Sequence, residues 1–412
     1  MHIETLLSTA RDDGLDSSMI ELAAQGDPVA QYNLGVCYSH GDGVPKDPIV
    51  AFEWFLKAEE QGYAPAIVCV GEYFFAGVPG RPDSENWYIP RDAEAGFAFF
   101  LKAAEKDFVA AQHLVGLCYM DGLGVEQNHN LAYDWTEKAA LQGHSAAQAQ
   151  LGAYYRYGIG VEENLKVAIE WFEKSALQGN AEAQLSLAVC YEQGLGVTAE
   201  PRQAMEWCRK AAEQGNSDAQ YMLGGFYQPG KNPNSLVGLT PGADVDAVTK
   251  WWHLAAKNGS VQAMYSLGIC YSRGPDADFN KTDESLACSF FMEAASWGHV
   301  ESIFEVGLIF ERGEANNPKA KGKVRPNVAS AWFRDAAEKG HPIAQYKLGW
   351  CYETGNCGAE WNTEKAVTWY RKASDQGHVG AAEALRNIGL TSEKGREKGL
   401  LRRLIDNYWT KR

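Results

Sequence analysis

Apolar side chains recur every three to four residues along most of the chain, and these stretches alternate with short glycine-containing breaks. In one stretch Ala147 and Leu151 lie on one face of a predicted helix, and in the next Ala168 and Phe172 do the same. The segment G-I-G-V at 158–161 separates them, and its glycines favour a turn because they adopt positive φ easily. The pattern therefore predicts a helix–turn–helix hairpin.

The hairpin pattern recurs with a base spacing of 36 residues, and a glycine after W-x-x-K-A-A-x-Q marks the end of each unit. One boundary carries aspartate instead. The boundaries lie at Gly26, Gly62, Asp107, Gly143, Gly179, Gly215, Gly259, Gly298, Gly340 and Gly377. We expect a capping helix within residues 1–25, nine hairpins over 26–376, and a partial repeat with a basic capping helix over 377–412.

An aromatic residue stands eight positions before each boundary from Gly62 onwards. These residues are Trp54, Phe99, Trp135, Trp171, Trp207, Trp251, Phe290, Trp332 and Trp369. Because their spacing to the boundary does not vary, we predict that they lie in the core; an aromatic binding ladder is the alternative. A glycine preceded by leucine or valine falls in the middle of the first helix of eight hairpins. A glycine there costs about 1 kcal/mol relative to alanine. Only Ala188 replaces it. Because this cost recurs in eight hairpins, we predict that the partner helix approaches closely at these glycines.

The motif A-x-A-Q-x-x-L-G-x-x-Y-x-x-G-x-G-V, followed by A-x-x-W-x-x-K-A-A-x-Q-G, resembles the Sel1-like repeat, a relative of the tetratricopeptide repeat. The resemblance covers residues 26–376 and implies an all-α fold, an α/α solenoid wound as a right-handed superhelix. Members of that family act as scaffolds and adaptors in bacterial signalling, envelope assembly and host interaction, and in eukaryotic membrane-protein quality control. Some bacterial members look like immunity proteins of secretion-system toxins.

The chain has 412 residues and a formal net charge of −15, and this acidic excess disfavours nucleic acid as a partner. No apolar run approaches the ~18 residues of a membrane-spanning helix. The N-terminal sequence lacks the basic region of a secretory signal, so we expect a cytoplasmic protein. There is no C-x-x-C pair among the nine cysteines, and we predict buried, reduced thiols at the recurring L-G-x-C-Y position. These are Cys37, Cys118, Cys190, Cys270 and Cys351.

No motif typical of a hydrolase, metalloprotease or nucleotide-binding enzyme occurs in the sequence. His144, His299, His341 and His378 each follow a boundary glycine, and we interpret them as solvated turn residues. A whole repeat separates them, so they cannot converge on one metal ion. We expect no enzymatic activity, no metal and no cofactor.

Positions six and ten residues after each boundary vary freely, as ligand-facing positions on the first helices should. We predict partner-binding residues there on the concave face: Tyr221, Tyr265, Phe304, Tyr346, Trp350, Tyr32 and His113. Glutamates at offset thirteen (Glu192, Glu311, Glu353) would add an acidic rim suited to a peptide with basic and apolar residues. The alternative is that some of these side chains only pack on the next repeat.

Longer loops between the two helices of some hairpins are a second candidate for binding. They lie at about 78–91, 229–243, 275–284, 314–326 and 356–361, with Trp87, Tyr88 and Leu236–Leu239 as the apolar candidates. The leading hypothesis is a scaffold that binds one protein or peptide in its groove. A toxin immunity protein, with acidic loops entering a partner's cleft, and an envelope binder of small molecules are the alternatives.

Overall fold

The computed structural model describes residues 17–78, 89–227, 245–273, 283–312, 326–355 and 360–388. Regular structure within these ranges is helical, which confirms the all-α helical repeat prediction. One isolated antiparallel bridge joins Val78 and Ile89, whose backbone groups exchange hydrogen bonds of 2.9 and 3.0 Å. The Val78–Ile89 bridge closes the base of one of the longer loops. The handedness of the superhelix stays a prediction.

The chain divides into two compact units, Met1–Ala211 and Ala212–Arg412. The N-terminal unit contains α1 (Ser17–Ala24), α2 (Pro28–His40), α3 (Pro48–Glu60), α4 (Ala64–Ala76), α5 (Ala93–Ala104), α6 (Val109–Asp121), α7 (His129–Leu141), α8 (Ser145–Tyr157), α9 (Leu165–Leu177), α10 (Ala181–Gln193) and most of α11 (Pro201–Glu213). The C-terminal unit contains α12 (Ser217–Phe226), α13 (Val245–Lys257), α14 (Val261–Arg273), α15 (Glu284–Ser296), α16 (Val300–Arg312), α17 (Pro326–Glu338), α18 (Pro342–Thr354) and α19 (Thr363–Asp375). A further helix covers residues 379–388.

Local sequence signals set the helix ends. Asn180 precedes α10, and its side-chain oxygen accepts a hydrogen bond of 2.9 Å from the backbone N–H of Ala183. Gly194 ends the same helix in the left-handed conformation, with φ of 72°. Gly196 also has positive φ, and a Cβ there would lie 2.6 Å from the Leu165 carbonyl oxygen of the preceding second helix. The two glycines of this loop thus serve different needs, one for the turn and one for close approach.

The glycine in the middle of each first helix makes room for a side chain seven positions before the next boundary. A Cβ on Gly152 would lie 2.7 Å from the ring of Phe172, and one on Gly307 would lie 2.6 Å from the ring of Phe333. The rings in this position are Phe55, Phe100, Phe172, Trp252, Phe291, Phe333 and Tyr370. In the repeat with Ala188, the corresponding residue is Cys208. Thr136 is the other small residue at this position, and it faces Gly116. The glycine is therefore replaced in one of the two hairpins that lack a ring here.

The prediction that all nine aromatics eight positions before the boundary are core residues is wrong for eight of them. Trp54 is buried, but the other eight are half-buried and pack at the edge of the core. The lysine of W-x-x-K covers part of the ring: Lys174 Nζ lies 3.9 Å from the centroid of Trp171. A lysine one turn later can do this because residues three apart share a helix face. Trp135, Trp171, Trp207 and Trp369 all have this lysine contact, so they are amphipathic residues at the surface rather than fully buried core residues.

A buried glutamine and an exposed glutamine that donates to it explain the two fixed Gln positions of the motif. Gln148 Nε2 donates to the carbonyl oxygen of Ala140 at 3.1 Å, which is in the last turn of the preceding helix. Its Oε1 accepts a hydrogen bond of 2.7 Å from Gln178 Nε2, just before the next boundary. One amide thus links three successive helices and satisfies polar atoms that would otherwise be buried without partners.

The predicted burial is confirmed for four of the five cysteines and is wrong for Cys37, and the reduced state stays a prediction. Cys118 and Cys190 are buried free thiols, and Cys37 is a half-buried one. Burial, with Asp121 nearby, raises the pKa of Cys118 to about 11, so its thiol stays protonated at neutral pH. Cys270 and Cys351 are buried at the corresponding positions.

Candidate protein-interaction surface

The first helices of the C-terminal unit place an aromatic side chain, six residues after each boundary, beside the first residue of the next repeat. The ring centroids of Tyr265 and His299 are 4.8 Å apart. The corresponding distances are 4.6 Å for Phe304 and His341 and 4.5 Å for Tyr346 and His378. We call Tyr221, Tyr265, Phe304, Tyr346 and Trp350 the aromatic row. Four of these five side chains contact the next repeat, which is the alternative that the sequence left open; Trp350 is the exception.

The histidines of these contacts are not solvated turn residues, and that interpretation was wrong. His341 is half-buried, and its Nδ1 accepts a hydrogen bond of 3.1 Å from the backbone N–H of Ala344. It therefore caps α18 as Asn or Asp caps other helices while its ring packs on Phe304. Burial lowers the pKa of His341 and of His299, so both rings favour the neutral form that can accept this bond.

Tyr221 begins the row with different contacts. Its ring stacks on Trp252 at a centroid distance of 5.8 Å, and its hydroxyl shares a hydrogen bond of 3.2 Å with the Ser266 hydroxyl. The Trp252 indole N–H donates to the Tyr221 carbonyl oxygen at 3.0 Å. These bonds fix the position of the phenol ring, which remains half-buried.

Two members of the row differ in accessibility. Phe304 is only 7% exposed because Phe333 and His341 cover its ring, so it supports the row without offering contact area of its own. Trp350 is half-buried on α18. Lys347 lies beside it, with its ammonium 5.8 Å from the indole centroid and 2.7 Å from a carboxylate oxygen of Glu311.

The predicted acidic rim is weaker than its sequence suggests. Glu311 pairs with Lys347, and Glu353 accepts a hydrogen bond of 2.5 Å from the Tyr370 hydroxyl. Glu192 is half-buried, and burial raises its pKa. Two of these three carboxylates therefore have partners within the chain, which reduces their attraction for a basic ligand.

The two candidates from the N-terminal unit also contact the next repeat. Tyr32 packs edge-on against Tyr63 at a centroid distance of 5.5 Å. His113 lies 5.0 Å from His144, and its buried Nδ1 has no hydrogen-bond partner. Burial, followed by the neighbouring His144, lowers the pKa of His113 to about 4. His113 is therefore neutral at physiological pH and acts as a packed ring.

Other candidates from the sequence have a different status. Trp87, Tyr88, Leu236–Leu239 and most of the longer loops lie outside the described residues, as does the basic segment 393–412. Within the described ranges, no three His, Cys, Asp or Glu side chains group closely enough to hold a metal ion. No helix in the same ranges has the length and apolar character needed to cross a membrane.

Comparison with known proteins identifies the repeat. The sequence model of the Sel1 repeat matches residues 28–63, 84–108, 109–144, 145–180, 181–216, 217–260, 261–296 and 342–378. The chain belongs to the Sel1 repeat family. Residues 297–341 fall outside these matches, although α16 and α17 lie there in the same sequence pattern.

Two solved Sel1 repeat structures resemble this one. A protective antigen of uropathogenic Escherichia coli strains, described as displaying an SLR fold, shares 30% identity with a TM-score of 0.60; the match covers 90% of this chain and 73% of that one. A Sel1 repeat protein of Oxalobacter formigenes shares 26% identity with a TM-score of 0.57, covering 82% of this chain and 90% of that one. An immunity protein of Pseudomonas aeruginosa shares 21% identity with a TM-score of 0.38, covering 57% of this chain and 81% of that one. No curated protein matches the sequence.

Proposed function

We propose that this chain is a non-catalytic cytoplasmic scaffold or adaptor that binds a protein or peptide through the first helices of its C-terminal unit. Sel1 repeats generally mediate protein–protein interactions. The observation that carries the proposal is the aromatic row, in which Tyr221, Tyr265, Tyr346 and Trp350 stay partly exposed on α12, α14 and α18. Tyrosine and tryptophan are the residues most enriched at binding hot spots.

The contacts of the row favour a partner with apolar anchors. Each tyrosine ring is held from one side by its packing contacts, so little side-chain entropy is lost when a partner covers the other side. The Glu311–Lys347 pair beside Trp350 offers both charges to the polar rim of an interface. We therefore expect apolar and aromatic side chains of the partner to dominate the contact, with a smaller contribution from charged groups.

The absence of a catalytic motif from the sequence supports a binding role. The toxin-immunity hypothesis required acidic loops that enter a partner's cleft, and those loops lie outside the described residues. No described feature favours that function or the binding of small molecules in the envelope over the scaffold.

Affinity capture with matched variants tests the proposal. The chain and the Tyr265→Ala and Tyr346→Ala variants are each immobilised and exposed to the same cell extract. Leu185→Ala is the control, because Leu185 is half-buried at the same repeat position but lies outside the row. We expect proteins captured by the wild type and by Leu185→Ala to be lost from both row variants. Capture that survives in both folded row variants would contradict the proposal.

A further inference from the structure

A cleft of about 480 Å³ opens between α9 and α11 of the N-terminal unit, among the second helices of the repeats. It involves no residue of the aromatic row. Its lining consists of Glu173, Leu177, Tyr191, Glu200, Gln203 and Trp207. Two carboxylates, a phenol and an amide therefore share one space with two large apolar side chains.

In the preceding repeat, a tyrosine hydroxyl of the chain itself lies between the corresponding carboxylate and phenol, and we call this the filled position. Glu137 and Tyr155 correspond to Glu173 and Tyr191 by the 36-residue spacing. There, the Tyr133 hydroxyl donates to Glu137 at 2.7 Å and shares a hydrogen bond of 2.8 Å with the Tyr155 hydroxyl. That carboxylate and that phenol thus have a partner within the chain.

At the cleft this internal partner is missing. The residue that corresponds to Tyr133 is Ile169, which is buried in the core and has no polar group. Tyr191 reaches Glu173 only at 3.5 Å. The repeat that contains the cleft therefore lacks the hydroxyl that joins carboxylate and phenol in the preceding repeat, but it retains both of those groups.

Positively charged groups of the chain occupy the corresponding position in the C-terminal unit. Around the Gly340 boundary, Arg334 replaces Glu173 and Lys365 replaces Gln203. The Arg334 guanidinium donates to the Tyr352 hydroxyl at 3.4 Å, and Lys365 Nζ lies 5.4 Å from the centroid of the Tyr352 ring. The same architecture therefore accommodates a guanidinium next to the tyrosine that corresponds to Tyr191.

We propose that the cleft binds the guanidinium group of an arginine side chain from a protein partner. Glu173 and Glu200 supply the acceptors that match a planar group with five N–H donors. Leu177, which is 78% exposed, and Trp207 provide apolar contact for the methylene groups of the arginine. Lys210 Nζ already lies 3.9 Å from the Trp207 ring centroid, so the carboxylates rather than the indole provide the attraction. This site rests on the proposed function only in one respect, namely that the arginine belongs to a protein partner.

Titration of the full chain with N-acetyl-arginine amide tests this site without knowledge of the partner. Binding is followed by the indole N–H signal of Trp207 in the ¹⁵N-labelled protein, assigned with Trp207→Phe. We expect a saturable shift with a dissociation constant on the order of millimolar. N-acetyl-citrulline amide has nearly the same shape without the charge, and we expect no saturable shift from it.

Two variants complete the test. Glu173→Gln/Glu200→Gln should weaken binding of the arginine probe at least about tenfold, whereas Glu137→Gln in the filled position should bind like wild type. A missing saturable shift, an equal response to the citrulline probe, or unchanged affinity in the double variant would overturn the proposal. None of these results depends on the aromatic row, so failure here is distinguishable from failure of the proposed function.

Discussion

Phe333 and Tyr346 are both aromatic residues of the C-terminal unit, but they lie in different surroundings. Phe333 is fully buried against the space left by Gly307, where a Cβ would lie 2.6 Å from the ring. Tyr346 is half-buried and stacks on His378 of the next repeat. The buried rings seven positions before the boundary hold seven of the nine hairpins together, while the aromatic row is covered only in part. Aromatic residues thus have two roles in this chain: some stabilise the hairpins, and others remain accessible at the surface.

The largest effect should come from adjacent substitutions on α17. Phe333→Ala removes a fully buried ring, and such changes typically cost about 3–5 kcal/mol. Trp332→Ala removes a larger side chain that is only half-buried, so we expect a smaller loss of stability. Urea unfolding of both variants measures this difference. A greater loss in Trp332→Ala would contradict the division between the buried rings and the core-edge tryptophans.

Acid should destabilise the packed histidines. Between pH 6.5 and about 4, His113 is neutral in the folded chain and protonated in the unfolded one, because its folded pKa is about 4. The unfolded state then binds more protons, so the free energy of unfolding falls as the pH falls through this window.

We expect a loss on the order of 2 kcal/mol from this histidine after allowance for solvent access to its ring. His113→Leu should remove that part of the pH dependence, as measured by urea unfolding at several pH values. An identical pH profile for the variant and the wild type would contradict the lowered pKa of His113.

The glycine–ring pair gives a prediction in which two effects oppose each other. Gly152→Ala gains up to about 1 kcal/mol of helix propensity but places a methyl group 2.7 Å from the Phe172 ring. Overpacking typically costs about 1–3 kcal/mol, so we expect a net loss of about 1 kcal/mol.

A double-mutant cycle sharpens this test. In a Phe172→Cys background, which reproduces the Ala188 and Cys208 combination of the next repeat, Gly152→Ala should be neutral or stabilising. If Gly152→Ala stabilises the wild-type chain in thermal unfolding, the glycine is not there to accommodate the ring.

The smallest effect should come from reducing agents. Cys118 and Cys190 are buried free thiols, so a reductant should leave the melting temperature unchanged. A structural disulfide typically contributes about 2–4 kcal/mol. A fall of many degrees on reduction would show that the thiols do not lie as described.

Much of the fold could be predicted from the sequence because repetition multiplies weak local signals. The boundary glycines, the helix periods and four of the five L-G-x-C-Y thiols are where the pattern predicts. The sequence does not distinguish Trp332 from Phe333, because two adjacent residues on a helix point about 100° apart and fixed spacing does not tell which one faces inward. The paired exception of Ala188 and Cys208 was a signal that identifies the inner position.

The surface was harder to predict than the core. The histidines after the boundary stand where Asn180 and Asn216 stand in other repeats, and this substitution pattern could have identified them as helix caps. Phe304 was expected to face a ligand, but its burial depends on His341 of the next repeat, a contact that only the packing of two hairpins creates. Contacts between neighbouring repeats, and not the sequence of a single repeat, therefore determine which side chains stay exposed.

The most direct test of the division between buried rings and aromatic row is a calorimetric titration of the captured partner. Tyr265→Ala and Tyr346→Ala should remain folded by circular dichroism and bind about thirtyfold more weakly, since an anchor of this type is worth about 2 kcal/mol or more. Leu185→Ala, the control outside the row, should bind like wild type. If both tyrosine variants are folded and bind the partner with wild-type affinity, the aromatic row is not the binding surface and the account is wrong.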